Sequence, residues 1–195
     1  MRQPLSTATH PDRGVTLWLT GLPSAGKTTL AGAVASRLRA AGTRCEVLDG
    51  DVVRQHLAQD LGYSRADRDS NVRRVGWVAR LLATHGVVAI ASIISPYRAA
   101  RDEVRAYHRA GGIGFIEVHV ATPLSVCVQR DVKGLYARAE AGEITGLTGI
   151  DDPYEEPESP DIRLDTSVQT VEQSLTEILE ALRGELPQPS GSTSV

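Results

Sequence analysis

The chain has 195 residues, 41% hydrophobic and 23% charged, with a formal net charge of −3. This length suits one domain, and the near-neutral balance favours neither nucleic acid nor a membrane surface as partner. Two cysteines exclude a disulfide scaffold or a four-cysteine zinc site, and the eight aromatic residues are too few for a stacking platform. In chain order, residues 1–14 are polar, lack a signal-peptide apolar segment and are expected to form a flexible arm. Val15 to Thr20 reads as a buried strand. Lys27 to Ala41 has helical spacing and stops at Gly42, and Cys45 to Leu48 is a second strand. Helices are expected over Val52–Leu61 and Arg68–His85, the latter with Val72, Val75, Val78, Leu81 and Leu82 on one side. Val87 to Ile94 is almost purely apolar, as a central parallel strand is, and Pro96 should stop it. Arg98 to Arg109 reads as a charged surface helix, Phe115 to Val120 as the fourth strand, and Pro123 to Arg130 as a helix with proline at its start. Residues 131–160 have weak periodicity and the length of a functional lid or a disordered segment. Asp161 to Asp165 suits a fifth strand and Val171 to Leu182 a last helix, before an expected disordered tail over 186–195.

Alternating strands and helices predict an α/β three-layer sandwich with a mostly parallel five-stranded sheet, one domain over 15–185. Ligands of such sheets sit beyond the carboxyl ends of the strands. The loops to read are therefore 21–27, 49–54, 92–97 and 121–123.

Gly21-Leu22-Pro23-Ser24-Ala25-Gly26-Lys27-Thr28 fits G-x-x-x-x-G-K-[ST] between a predicted strand and a predicted helix. Glycines let backbone amides turn onto phosphate oxygens, and the helix N-terminus adds partial positive charge. Lys27 is expected at the β and γ phosphates and Thr28 on Mg²⁺. Against this stands a chance glycine turn before a structural helix, which agreement of pattern and context disfavours. Asp49 and Asp51 close the second strand. Each either orients a hydroxyl or holds metal-bound water, or else Asp51 caps the following helix. Arg54, Arg65, Arg68, Arg73 and Arg74 suit an anionic substrate. Taken singly, each suits a solvated helix face paired with Asp67 and Asp69. Asn71 faces either solvent or a substrate. Ser95 is a ligand or a turn former before Pro96. Cys127 reads as a small buried hydrophobe, and the five histidines lack metal-ligand spacing.

With these residues in view, the chain resembles the adenylylsulfate (APS) kinase family. The matching pieces are GLPSAGKTT at 21–29, DGDVVR at 49–54, DLGYSRADR at 60–68, NVRR at 71–74, SIISP at 92–96, RDVKGLY at 130–136 and GLTGIDDPYEEP at 146–157. The resemblance implies a P-loop kinase fold with a mobile lid over about 131–160, commonly a homodimer. It implies phosphorylation of the 3′-hydroxyl of APS by Mg-ATP, giving 3′-phosphoadenylylsulfate (PAPS) and ADP, in the cytoplasm. Gly21 through Thr29 would hold ATP and Mg²⁺. Asp49 and Asp51 would face the transferred phosphoryl group, with Asp51 nearest the acceptor hydroxyl and, with Thr28, near the metal. Arg54, Arg68 and Asn71 would bind the acceptor, Ile94 and Ser95 would contact it through the backbone, and Lys133 would lie over the phosphates. Ser95 also matches the serine sometimes described in this family as a phosphoserine intermediate. Tyr63 and Leu147 stand where the family usually has the two Phe that sandwich the adenine, and Val132 stands where it usually has Pro. These departures keep open another nucleotide or nucleoside-like acceptor on the same frame. A nucleotide-dependent switch is a third reading, disfavoured by the long lid. Any ATP sulfurylase partner would be a separate chain.

Overall fold

The structure, a computed structural model, describes residues 13–186. Apart from Arg13, Gly14 and Leu186, the expected arm and tail lie outside the described residues. Five strands form one parallel sheet: β1 (Val15–Thr20), β2 (Cys45–Asp49), β3 (Val88–Ser92), β4 (Gly114–Val120) and β5 (Ile162–Leu164), in the order β2-β3-β1-β4-β5. Helices α1 (Lys27–Ala40) and α7 (Val171–Glu185) cover one face, and α3 (Arg65–Thr84) and α4 (Arg98–Ala110) the other. Three shorter helices complete the fold: α2 (Gly50–Leu57), α5 (Leu124–Arg130) and α6 (Leu135–Glu140). Among the described residues, no helix is long and apolar enough to cross a membrane.

The central strand β1 has two chemically different faces. Val15, Leu17 and Leu19 join the aliphatic cluster with Val34, Leu38, Ile178 and Leu182. Thr16, Trp18 and Thr20 point to the opposite face, because side chains alternate along a strand. Trp18 packs with Val72, Val75, Val104 and Phe115, and the two threonines bond to polar groups there. Both faces are fully buried, so the run reads as apolar although one face is a polar network.

Expectations about four elements need correction. First, α3 starts at Arg65, not Arg68: the Ser64 side chain caps it by accepting the Asp67 amide at 3.2 Å. A polar first turn lies outside the apolar stripe that marks a helix in the sequence. Likewise α2 starts at Gly50, because Asp49, and not Asp51, is its cap: the Asp49 carboxylate accepts the Asp51 amide at 3.0 Å. Second, α2 ends at Leu57 rather than Leu61. The chain then turns, and Arg54 donates to the Leu61 and Gly62 carbonyls at 3.0 and 2.7 Å. Third, β3 stops at Ser92. Beyond it the Thr20 hydroxyl donates to the Ile94 carbonyl at 2.7 Å, replacing the ladder. Fourth, α4 is not only a surface helix: Arg101 and His108 are buried on its inner side. The weakly periodic segment 131–160 carries α6, whose first turn the Asp131 carboxylate caps by accepting the Tyr136 and Ala137 amides, each at 3.0 Å.

Candidate active site

The parallel sheet brings the ends of β1, β2, β3 and β4 to one edge, from which the loops after β1, β2 and β3 emerge. The loop 21–28 is braced from outside. Lys27 Nζ donates to the Gly21 and Leu22 carbonyls at 2.9 and 2.7 Å. Tyr136 Oη donates to the Pro23 carbonyl at 3.1 Å, and Thr122 and Thr166 hydroxyls donate to Ala25 at 3.0 and 2.9 Å. In a trans peptide the N–H opposes the C=O. The Pro23 and Ala25 carbonyls, tied by side chains from outside the loop, turn the following Ser24 and Gly26 amides the opposite way, as an anion cradle requires. Gly21 is obligatory: its φ is 149°, and a Cβ there would lie 2.5 Å from the Val120 carbonyl oxygen. Burial pushes the Lys27 ammonium down to about 8, with Lys133 lowering it further and Asp49 and Asp51 opposing. An arriving phosphate would push it up again, favouring the charged form.

Thr28 at the start of α1 donates to Asp49 Oδ2 at 2.9 Å. Asp51, in the first turn of α2, forms an ion pair with Lys133 from the segment 131–160. The carboxylate beside Thr28 is thus Asp49, while Asp51 faces Lys133. Among the described residues, no group of three or more His, Cys, Asp or Glu side chains is set to hold a metal. That donor set fits Mg²⁺, which takes few protein ligands, prefers hard oxygens such as the Thr28 hydroxyl and Asp49 carboxylate, and keeps water and phosphate oxygens.

The other predicted ligands are divided. Arg54 lies over the Tyr63 ring at 4.6 Å and Arg68 at 5.7 Å, leaving the tyrosine 68% exposed. Arg68 is buried; it donates to the Tyr63 carbonyl at 2.8 Å, to Thr148 Oγ1 at 2.9 Å and to the Gly146 carbonyl, with Asp152 at 3.8 Å. Arg65, Arg73 and Arg74 pair with Glu155, Glu103 and Asp60, not with Asp67 or Asp69. Asn71 Oδ1 is buried without a hydrogen-bond partner, an acceptor waiting for a donor. Leu147 is 8% exposed and belongs to the aliphatic core cluster, not to an open face opposite Tyr63. Ser95 is 3% exposed, with φ 41°. Val132 donates its amide to Ser24 Oγ at 3.3 Å, so the segment 131–160 starts against the loop. Cys45 and Cys127 are buried, and burial pushes both thiols up.

Sequence reasoning missed Thr20, Tyr97, Arg101, Thr148, Asp152 and Tyr154. Tyr154 Oη lies 3.0 Å from Thr20 Oγ1, and burial pushes this phenol up to about 12, so it keeps its proton. Its ring stacks on His119, which accepts from Arg163 at Nδ1, 3.0 Å. Burial brings His119 down to about 4, giving a neutral ring with its proton on Nε2. Tyr97 donates to Asp152 at 2.7 Å. Only Thr20 had a usable signal: a polar residue ending an apolar strand, directly before the glycine loop. A separate cavity of about 240 Å³ is lined by Arg98, Arg101, Arg105, Arg109, Glu117 and Glu158. Its charges are largely paired already, Arg98 with Glu158 and Arg101 and Arg105 with Glu117, and it lies off the strand-end edge.

Comparison with known proteins agrees with this geometry. The family described as adenylylsulphate kinase matches residues 13–165. The adenylyl-sulfate kinase of Synechococcus sp. (strain JA-3-3Ab) is 57% identical over 171 residues, 88% of this chain and 95% of that protein. The adenylyl-sulfate kinase of Rippkaea orientalis is 54% identical over 180 residues, 91% of this chain and 97% of that one. The Mycobacterium tuberculosis APS kinase, solved with AMPPNP and APS, superposes with a TM-score of 0.86 at 45% identity, covering 89% of this chain and 99% of that one.

Proposed function

The chain belongs to the adenylylsulphate kinase family, and on that premise we propose that it transfers the γ-phosphoryl group of ATP to the 3′-hydroxyl of APS, giving PAPS and ADP. The observation that supports the reading is the braced phosphate loop with Asp49 bonded to Thr28 at its end. Loop amides and Lys27 hold the ATP phosphates and neutralise charge as it shifts to the leaving oxygen. Thr28, with Asp49 behind it, holds Mg²⁺, which supplies further charge neutralisation on the phosphates when bound. Asp51 orients the acceptor hydroxyl. Arg54 and Arg68 match the phosphosulfate oxygens, and Asn71 Oδ1 accepts from a hydroxyl or amine of the acceptor. A loose phosphoryl-transfer transition state asks mainly for positioning and charge, so no covalent serine intermediate is needed.

Residues 131–160 act as the lid of a single kinase domain over 15–185. Lys133 swings from Asp51 to the phosphates as both substrates fill the site, and closure excludes water, the competing acceptor. The protein works in the cytoplasm as a homodimer, with APS supplied by a separate ATP sulfurylase; light scattering on the purified chain checks the dimer. The deciding experiment is ADP release from Mg-ATP with and without APS, with the product identified by mass. Strong stimulation with PAPS as product is expected. Basal turnover that APS leaves unchanged, with stimulation by another nucleotide, would replace the acceptor.

A further inference from the structure

We propose that Thr20 and Arg101 are positioning residues for the acceptor: they hold the Ile94–Ser95 turn from beneath, so that the Ser95 amide faces the acceptor cleft. The inference rests on the phosphoryl-transfer reading above. Ser95 adopts a left-handed φ of 41°, unusual for a residue with a Cβ and kept only where its surroundings enforce it. Two bonds do so. Thr20 Oγ1 donates to the Ile94 carbonyl at 2.7 Å, and an Arg101 guanidinium nitrogen donates to the Ser95 carbonyl at 2.7 Å. Since the N–H of a trans peptide opposes its C=O, tying the Ile94 carbonyl to the core turns the Ser95 amide outward.

The hydroxyl protons have one consistent arrangement. Thr20 has one proton, which goes to Ile94. Ser95 Oγ, 2.9 Å away, therefore donates to Thr20, as does Tyr154 Oη at 3.0 Å. Ser95 Oγ in turn accepts from Trp18 Nε1 at 3.2 Å. The serine hydroxyl is thus engaged with the core, and it is the backbone of this turn that is left for a ligand.

Arg101 reaches in three directions within one plane. It donates to the Ser95 carbonyl, to the Glu155 carbonyl and, at 3.0 Å, to Glu117 Oε1, while its side chain is 2% exposed. A guanidinium fork can do this, and an ammonium cannot hold all three in a fixed plane. The Glu155 amide also donates to the Pro96 carbonyl at 2.8 Å, and its carboxylate accepts the Arg98 amide at 2.8 Å. The chain returning from the lid is therefore fastened to the acceptor floor through these same residues.

The test is steady-state kinetics of the full chain with Thr20→Val, Thr20→Ser and Arg101→Lys, varying APS and ATP separately. One lost hydrogen bond to a positioned backbone is worth about tenfold. Thr20→Val and Arg101→Lys should each raise the KM for APS about tenfold, with the KM for ATP within about twofold. Thr20→Ser should restore the wild-type APS value. Tyr154→Phe, which removes one donor to Thr20 while leaving the ring stacked, should shift the APS KM in the same direction by less. A wild-type APS KM in Thr20→Val would overturn the inference. So would a parallel rise of both KM values with a fall in melting temperature, the signature of a merely structural role. Wild-type protein without APS-dependent transfer would instead refute the proposed function; with wild type active, the variants judge this inference alone.

Discussion

The loop that would hold the phosphoryl donor is one stretch of chain, Gly21 to Thr28, folded back on itself, with Lys27 reaching its own Gly21 and Leu22 carbonyls. The floor proposed for the acceptor is assembled from separate elements: Thr20 under Ile94, Arg101 under Ser95, Arg68 against Gly146 and Thr148. The first arrangement needs a strand, a glycine turn and a helix in sequence, with Thr122, Tyr136 and Thr166 fastening two of its carbonyls. The second needs the whole α3–α4 face of the sheet to be folded. The donor site should therefore fail abruptly when a single residue changes, while the acceptor site should loosen by degrees as tertiary links are cut.

The largest expected effect lies in the loop. Lys27→Ala removes the buried ammonium from the phosphates and should lower kcat by about 10²–10³-fold, the range seen when one transition-state donor is lost. A near-normal kcat would break the comparison at its donor end. Next comes Arg68→Ala, which removes three hydrogen bonds to Tyr63, Gly146 and Thr148. It should lower kcat/KM for APS by about 10²-fold, with the ATP KM nearly unchanged. Equal losses toward both substrates would show that the two halves are not separate.

The acceptor face should also respond to pH. His119 is held neutral by burial, with its pKa lowered from 6.5 to about 4. A group whose folded pKa lies below its unfolded one leaves the unfolded chain binding more protons between the two values, so stability rises with pH there. Stability from this site should be intact above about 6.5 and should drain as the pH falls toward 4, by on the order of 3 kcal/mol. Urea midpoints at pH 7 and 4.5 measure the fall, and His119→Gln should flatten it. The smallest effect is expected at Leu147. Because it packs in the aliphatic core, Leu147→Phe should cost ~1–2 kcal/mol by overpacking. Unchanged stability with a lower APS KM would instead place its edge on the acceptor.

Much of the molecule was legible in the residues. The bounds of β1 and the start of α1 follow from an apolar run, a glycine loop and helical spacing, all local signals. The glycine loop was legible as a strand–turn–helix motif, whereas which aspartate stands beside Thr28 was not: the expected partner was Asp51 and the one in place is Asp49. Boundaries failed where a polar cap, not an apolar stripe, sets the end, as at Ser64 and Asp49. The pairing of the arginines also failed, since any carboxylate nearby in sequence looks like a partner, while Arg73 and Arg74 found Glu103 and Asp60. Sequence by itself determined the alternating order of elements and the donor loop, because backbone geometry and periodicity act over a few residues. Only the tertiary structure decided that Arg101 is buried beneath Ser95, that Tyr154 reaches Thr20, and that Leu147 is core. Tyr154 and Thr20 lie 134 positions apart, and although Arg101 follows Ser95 by only six, a charged helix or a glycine- and proline-rich segment carries no local mark of which group its side chains will meet.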